Sequence, residues 1–229
     1  MFLSKLVLNP RDRLARRDLG SAYEMHRTIL SAGFDGVAKE DLGRVLFRAE
    51  VDPNGRNPPV ILVQSVREPT WNILPVGYAN RTDTKPYDPK FQVGQRLRFR
   101  LRANPTKRVA KKNVLLGEAH GGKRVGLFRE YEQLKWFLYK GQAGGFRVPG
   151  EWIAARDPET DLPIQLPNFR LDTIPEGRVG NDKAGGWFQA VRFEGVLEVT
   201  DSHLFRKLIE SGIGSAKGFG FGLLSVAPA

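Results

Sequence analysis

Cysteine is absent from this chain of 229 residues. That excludes disulfides, thiolate metal sites and cysteine nucleophiles. Histidine is scarce: His26, His120 and His203 lie far apart, and none forms a ligand-spaced pair such as H-x-x-x-H. A resident catalytic metal is not expected, and no motif asks for a cofactor. No apolar run approaches the ~18 residues needed to cross a bilayer. The start of the chain turns polar at Asn9, too early for a signal peptide. The expectation is a cytoplasmic protein with no membrane partner. Carboxylates are also in deficit, with 25 Asp and Glu against 36 Lys and Arg, a net charge of +11. A surplus of that size predicts an anionic polymer as partner. With the bilayer set aside, nucleic acid is the expected polymer. The hydrophobic fraction of 41% is enough to build a real core.

What the chain does have is glycine, concentrated near its end. Residues 212–222 read GIGSAKGFGFG, with five glycines and Lys217. Glycine enters positive-φ conformations without a Cβ penalty, so such a loop can turn its amides inward. Inward amides form an anion-binding hollow, to which Lys217 adds a full charge. The spacing matches neither the P-loop nor the dinucleotide fingerprint, so on the glycines alone a plain turn before a last strand at 223–227 is the simpler reading.

Residues 2–9 read as a strand ended by Pro10. Arg11, Arg13, Arg16 and Arg17 follow as a short basic helix or a solvated connection. Asp18 or Ser21 can cap a helix over 22–32, whose apolar face is Ala22, Met25 and Ile29. On it Tyr23 and His26 lie three apart and point to one side. A phenol beside an imidazole can form an acid/base pair. A half-buried tyrosine next to a surface histidine is the plainer alternative on these residues alone. Strands at 44–51 and 60–66 flank the turn signal Asp52-Pro53-Asn54-Gly55. Residues 71–74 offer a second helix or a turn, and 77–89, with Pro86 and Pro89, reads as a linker. Strand, helix and hairpin in this order suggest half of a ferredoxin-like βαββαβ unit.

Residues 96–103 alternate most sharply. Leu97, Phe99 and Leu101 face one side, and Arg96, Arg98, Arg100 and Arg102 face the other. No acid alternates along that row, so a covering polyanion is expected. Residues 106–126 continue basic with Lys107, Arg108, Lys111 and Lys112 and read as a hairpin or loop making phosphate contacts; His120 there is taken as solvent-exposed. Residues 127–140 have helical spacing, with Gly141 as the stop. Strands are expected at 146–154 and 169–174, a glycine-rich turn at 178–186 and a long strand at 187–200 bent at Gly195. Asp201 caps a helix over 202–211. The second half thus repeats the first, giving an α+β fold of two tandem ferredoxin-like (βαββαβ) domains over 1–88 and 89–229.

The run FEGVLEV at 193–199, Asp201, the glycine loop and the LLS that follows it resemble the C-terminal signature of CasE, the CRISPR repeat-processing endoribonuclease of the Cascade complex. Tyr23-Glu24-Met25-His26-Arg27, the arginines after Pro10 and the run from Gly94 to Pro105 are similar to that family as well. The resemblance implies a substrate, the CRISPR repeat hairpin RNA, cut without metal at the 3′ base of the stem. In that chemistry the upstream 2′-hydroxyl attacks, leaving a 2′,3′-cyclic phosphate and a 5′-hydroxyl. It also implies a catalytic pair, Tyr23 and His26, and reverses the plainer reading given above. RNA contact is expected at Arg27, Arg96, Arg98, Arg100, Arg102, Lys107, Arg108, Lys111, Lys112, Gly214, Lys217 and Gly218. The product would stay bound as the protein joins other Cascade subunits. A non-catalytic RNA-binding subunit is the alternative. Where relatives carry a lysine shortly after the histidine, Ser31 stands here. Charge stabilisation then falls to Arg27 or to a residue outside the helix.

Overall fold

A computed structural model describes residues 1–109, 123–156, 160–169, 171–181 and 186–229. Lys111, Lys112 and His120 lie outside the described residues. The first strand, β1 (Phe2–Leu8), sends Leu6 and Leu8 into the core and Lys5 outward, as period two requires. Two helices follow, α1 (Arg13–Gly20) and α2 (Ala22–Gly33). The Asp12 side chain accepts from the Ala15 amide and starts α1; Ser21 accepts from the Glu24 amide and starts α2. Ser21 to Glu24 has the capping-box spacing, so α2 is capped at a fixed point two residues before Tyr23. Asp18 caps nothing: it is buried and accepts from the Tyr78 hydroxyl at 2.8 Å and from Arg17.

A single turn, α3 (Lys39–Leu42), leads to β2 (Val45–Glu50) and β3 (Val60–Ser65), joined through the expected Asp52–Gly55 turn. There the Asp52 carboxylate accepts from the amides of Asn54 and Asn57. Trp71–Ile73 is one 3-10 turn, the smaller of the two expected outcomes. The expected linker over 77–89 is instead largely a strand, β4 (Ala79–Pro86), which pairs with β1. Its polar composition and its one proline, Pro86, are those of a sheet edge, where one side of the strand needs no donors. The antiparallel sheet order is β2-β3-β1-β4. Met25, Ile29, Phe47, Ile61, Val63 and Trp71 form the core between it and the helices.

The arginine-rich segment is β5 (Arg96–Ala103). A hairpin of β6 (Thr106–Val109) and β7 (Lys123–Gly126) comes next, then α4 (Glu130–Ala143). This helix runs through Gly141, contrary to expectation. A Cβ there would come within 2.8 Å of the Phe146 ring, so glycine serves close packing, and the helix ends at Gly144. β8 (Phe146–Arg147) and β9 (Gly150–Arg156) are separate strands where one was expected. β9 pairs with β10 (Pro163–Phe169), which lies largely between the strands expected at 146–154 and 169–174. β11 (Leu171–Asn181) extends into the expected glycine-rich turn and pairs with β12 (Gly186–Val199). Gly195 sits in unbroken register with Phe99 and Leu171; the irregularity is across the sheet, between Pro175 and Gly177. Pro175 has no N–H for the ladder, which favours a bulge at that place. Asp201 caps α5 (Ser202–Ser211) as expected, and β13 (Leu224–Pro228) closes the sheet.

The second sheet has the order β11-β12-β5-β13, with β8 also on β12. Setting β8 aside, second, third, first and fourth strands lie side by side in both sheets. Phe99, Phe137 and Phe193 stack in the second core, with centroids 5.1 and 4.9 Å apart. Arg48, only 3% exposed, joins the halves: it donates to the carbonyls of Arg100 and Leu223 and to Ser225 Oγ, each at 3.0 Å. The Gln64 amide donates to the Ile209 carbonyl at 2.7 Å.

Candidate active site and nucleic-acid interface

Beyond α5 the chain makes a closed loop. Gly212, Gly214, Gly220 and Gly222 take φ values of +74°, +82°, +81° and +88°, and Ala216 takes +59°. A side chain at Gly214 would be strained by that φ and would meet Trp136 at 2.9 Å. The Ile213 amide donates to the Gly222 carbonyl, and the Gly222 amide donates to the Arg102 carbonyl. These bonds shut the loop on itself and tie it to β5. Ser215 Oγ donates to the carbonyl of buried Asn104, whose side chain also accepts from the Gln189 amide.

A 3-10 turn at Lys217–Phe219 puts the loop against α2 and β2. An ideal Cβ built at Gly218 would stand 3.5 Å from His26 Cε1 and 3.7 Å from Nε2. The imidazole therefore lies over the bare backbone of Gly218. Its other neighbour is Phe47, stacked at 6.3 Å with the planes 22° apart. His26 Nδ1 is buried and has no hydrogen-bond partner among the described residues. Burial holds the imidazole pKa below its ordinary value, so the ring is neutral near pH 7 and can give or take a proton. On the same helix Arg27 reaches Glu24 at 3.2 Å and lies over the Tyr23 ring at 5.9 Å. The separation of two sites by almost the whole chain length is thus closed: α2 and the glycine loop meet. Ser31 turns back to the Thr28 carbonyl.

Lys217 donates to the Ser211 carbonyl at 2.6 Å. Its amine is pushed below the usual lysine value, first by burial and then by Arg44 and Lys140. Lys107 pairs with Glu132 at 2.8 Å. The arginine row differs from its expectation. Arg100 holds Glu194 and Glu50 at 2.6 and 3.0 Å, Arg102 holds Glu176 at 2.6 Å, and Arg96 reaches Glu198 at 3.5 Å. Arg98 donates to the Pro228 carbonyl. The acids come from neighbouring strands and from the other half, where alternation along one strand cannot reveal them. Arg44, Phe47, Arg48 and Asn104 went unmarked in the sequence. No local pattern distinguishes them, because each acts through a partner on another element, at short range in sequence only for Phe47 and His26. Among the described residues no three carboxylates or histidines are placed to hold a metal, and no helix is long and apolar enough to cross a membrane.

A neutral imidazole over a positive-φ, glycine-rich loop, with a phenol one turn away on the same helix, in a strongly cationic protein, makes a site suited to an anionic polymer, with groups that can move protons. The sequence model of the family described as CRISPR associated protein matches residues 1–228, and the chain belongs to that family. It is 42% identical to the CRISPR-associated endoribonuclease Cse3 of Thermus thermophilus over the full length of both chains. It is 32% identical, again over both full lengths, to the CRISPR system Cascade subunit CasE of Escherichia coli. A solved structure of Thermus thermophilus Cse3, bound to an RNA representing a pre-cleavage complex, superposes with a TM-score of 0.81 at 40% identity, covering 99% of this chain and 98% of that one.

Proposed function

We propose that the protein is an endoribonuclease that cleaves CRISPR precursor RNA at the base of the repeat hairpin and keeps the product as a Cascade subunit. The observation that carries this reading is the His26 ring lying over Gly218. A phosphodiester seated on the loop amides brings its 2′-hydroxyl within reach of groups on α2. The reaction we assign is an internal displacement. The 2′-oxygen forms a bond to phosphorus as its proton leaves to a base. The bond to the 5′-oxygen breaks as an acid protonates it. The products are a 2′,3′-cyclic phosphate and a 5′-hydroxyl, with no redox change and no water consumed. His26 and Tyr23 fill the two proton roles, in an order we leave to experiment. An unpaired, buried Nδ1 and a neutral ring suit proton exchange in either direction. The loop amides, Lys217 and Arg27 supply charge complementary to the phosphorane.

The finer architecture we propose is two ferredoxin-like domains, 1–88 and 89–229, a reading supported by the shared strand order of the two sheets. In the first domain the 3-10 turn at Trp71–Ile73 stands where the second helix belongs. We assign phosphate contact to Arg27, Arg108, Gly214, Lys217 and Gly218. Arg100 and Arg102 spend their charge on glutamates and are assigned to the joint between the halves. The experiment is incubation of repeat hairpin RNA in EDTA with wild type, His26→Ala and Tyr23→Phe, alongside RNA carrying a 2′-deoxy nucleotide at the cut. Wild type should cleave; His26→Ala and the deoxy substrate should bind without cleavage. Tight binding with an intact 2′-hydroxyl RNA and wild-type protein would instead identify a non-catalytic RNA-binding subunit.

A further inference from the structure

Among the described residues Asp18 is the only buried carboxylate, 1% exposed, and neither the phosphate seat nor the proton transfers use it. A buried ionic group adds little net stability over an apolar one of its size; its best-attested use is to fix the register of the elements it joins. Asp18 lies on α1 and accepts from the Tyr78 hydroxyl, just ahead of β4, at 2.8 Å. Burial first, and then Asp18 itself, push the ionisation of this phenol well above its usual value, so the hydroxyl keeps its proton and donates. The other oxygen of Asp18 takes the Arg17 guanidinium, Nε at 2.8 Å and Nη2 at 2.7 Å. The same Nη2 lies 3.5 Å from a Glu24 carboxylate oxygen and 3.5 Å from the Thr28 hydroxyl. Glu24 and Thr28 are four residues apart, one above the other on α2. One guanidinium, oriented by a buried anion, thus grips successive turns of the helix that carries Tyr23 and His26. The grip acts on rotation. Met25 and Ile29 bury one line of α2, and apolar contact is non-directional, so that line fixes the roll of the helix weakly. Glu24 and Thr28 stand about 100° round from it, where a directional bond resists rolling. A roll of about 10° moves a side-chain tip, roughly 5–6 Å from the axis, by about 1 Å. Displacement of that size at a reacting group costs about 10²-fold in rate.

We propose that Arg17 is a positioning residue for the cleavage: anchored by Asp18 and Tyr78, it locks the rotation of α2 and so sets where the His26 ring meets Gly218 and where the Tyr23 hydroxyl lies. It acts through the helix, touching no RNA and exchanging no proton. The inference rests on the cleavage reading above, because it assigns how the two proton-transfer groups are held.

The test is single-turnover cleavage of hairpin RNA at rising protein concentration, which separates the rate at saturation from the half-saturating concentration, together with the NMR resonance of the His26 ring. The chain has three histidines, so the ring signals separate, and stacking on Phe47 displaces that of His26. Arg17→Lys is the discriminating variant. Lysine keeps a cation on Asp18, but a point charge cannot hold Asp18, Glu24 and Thr28 together as the guanidinium fork does. Arg17→Lys should melt close to wild type, lose about tenfold or more in rate at saturation, shift the His26 signal, and keep its half-saturating concentration within about twofold. Asp18→Asn, which keeps the shape and the bond to Tyr78 but releases Arg17, should show the same loss of rate and the same shift. A wild-type rate at saturation or an unmoved His26 signal in these variants overturns the proposal. So does a lower melting point with a wild-type rate in the folded protein, which makes the group merely structural. A loss confined to the half-saturating concentration overturns it too, by making Arg17 a phosphate contact. The enzyme reading fails separately: wild type that leaves an RNA with its 2′-hydroxyl intact refutes cleavage whatever the His26 signal does.

Discussion

Gly218→Val tests the contact on which the site depends. The position has an ordinary negative-φ backbone, so the effect of a side chain there is spatial and not conformational. A Cβ would stand 3.5 Å from His26 Cε1 and 3.8 Å from Nδ1, which is ordinary van der Waals contact. Gly218→Ala should therefore leave the imidazole in place and hold cleavage within a few fold. Valine adds two γ-carbons about 1.5 Å further out, filling two of the three staggered positions, so at least one is driven toward the ring or toward the seat of the phosphate. Phe47 backs His26, so the ring must swing along its own helix by roughly 1 Å. Misplacement of that size costs about 10²-fold in rate, or close to 2.7 kcal/mol of barrier. Single-turnover cleavage of hairpin RNA reads the effect, and thermal unfolding checks the fold, which should change little because the turn is at the surface of the joint. Equal rates for glycine, alanine and valine would refute the placement of the reacting phosphate between Gly218 and His26.

Other outcomes follow from the same geometry. Arg48→Ala strands two carbonyls and a hydroxyl at the joint; removing one member of a buried charged network costs about 3–5 kcal/mol, read as a lower denaturant midpoint. Gly214→Ala forces a side chain into φ +82° against Trp136 and should cost about 1–2 kcal/mol of stability from the left-handed backbone alone. The His26 pKa is lower in the folded chain than in the unfolded one, so the unfolded chain binds more protons near its pKa. Stability from this group is therefore full above about pH 6.5 and declines as pH falls through the folded value; His26→Ala should flatten that decline in pH-dependent unfolding. For the same reason the acidic limb of cleavage against pH should have its midpoint below about 6.5.

Local signals carried most of the elements. Period two marked β5, Asp201 marked α5, and Ser21, one of two caps the sequence offers, marked α2 within a residue. Edge strands were the weak point, because β4 is polar and β10 carries two prolines, so both look like connections until their partner is known. The candidate site was visible as two separate motifs, a Tyr/His pair and a glycine loop. What joins them was not visible: Phe47 behind the imidazole, Arg48 across the joint and the glutamates that neutralise the arginine row all act between separate elements. An alternating row of arginines reads as bare charge from one strand, and as half of an ion-pair lattice once the next strand is placed.

The central claim is that an RNA 2′-hydroxyl is the nucleophile and that side chains of this protein, without a metal, move the protons. Mass spectrometry of the upstream fragment made in EDTA tests it most directly. A fragment one water lighter than the linear phosphate, paired with a downstream fragment bearing a 5′-hydroxyl, is the predicted result. A 3′-hydroxyl facing a 5′-phosphate, or cutting that begins only when magnesium is added, would contradict it.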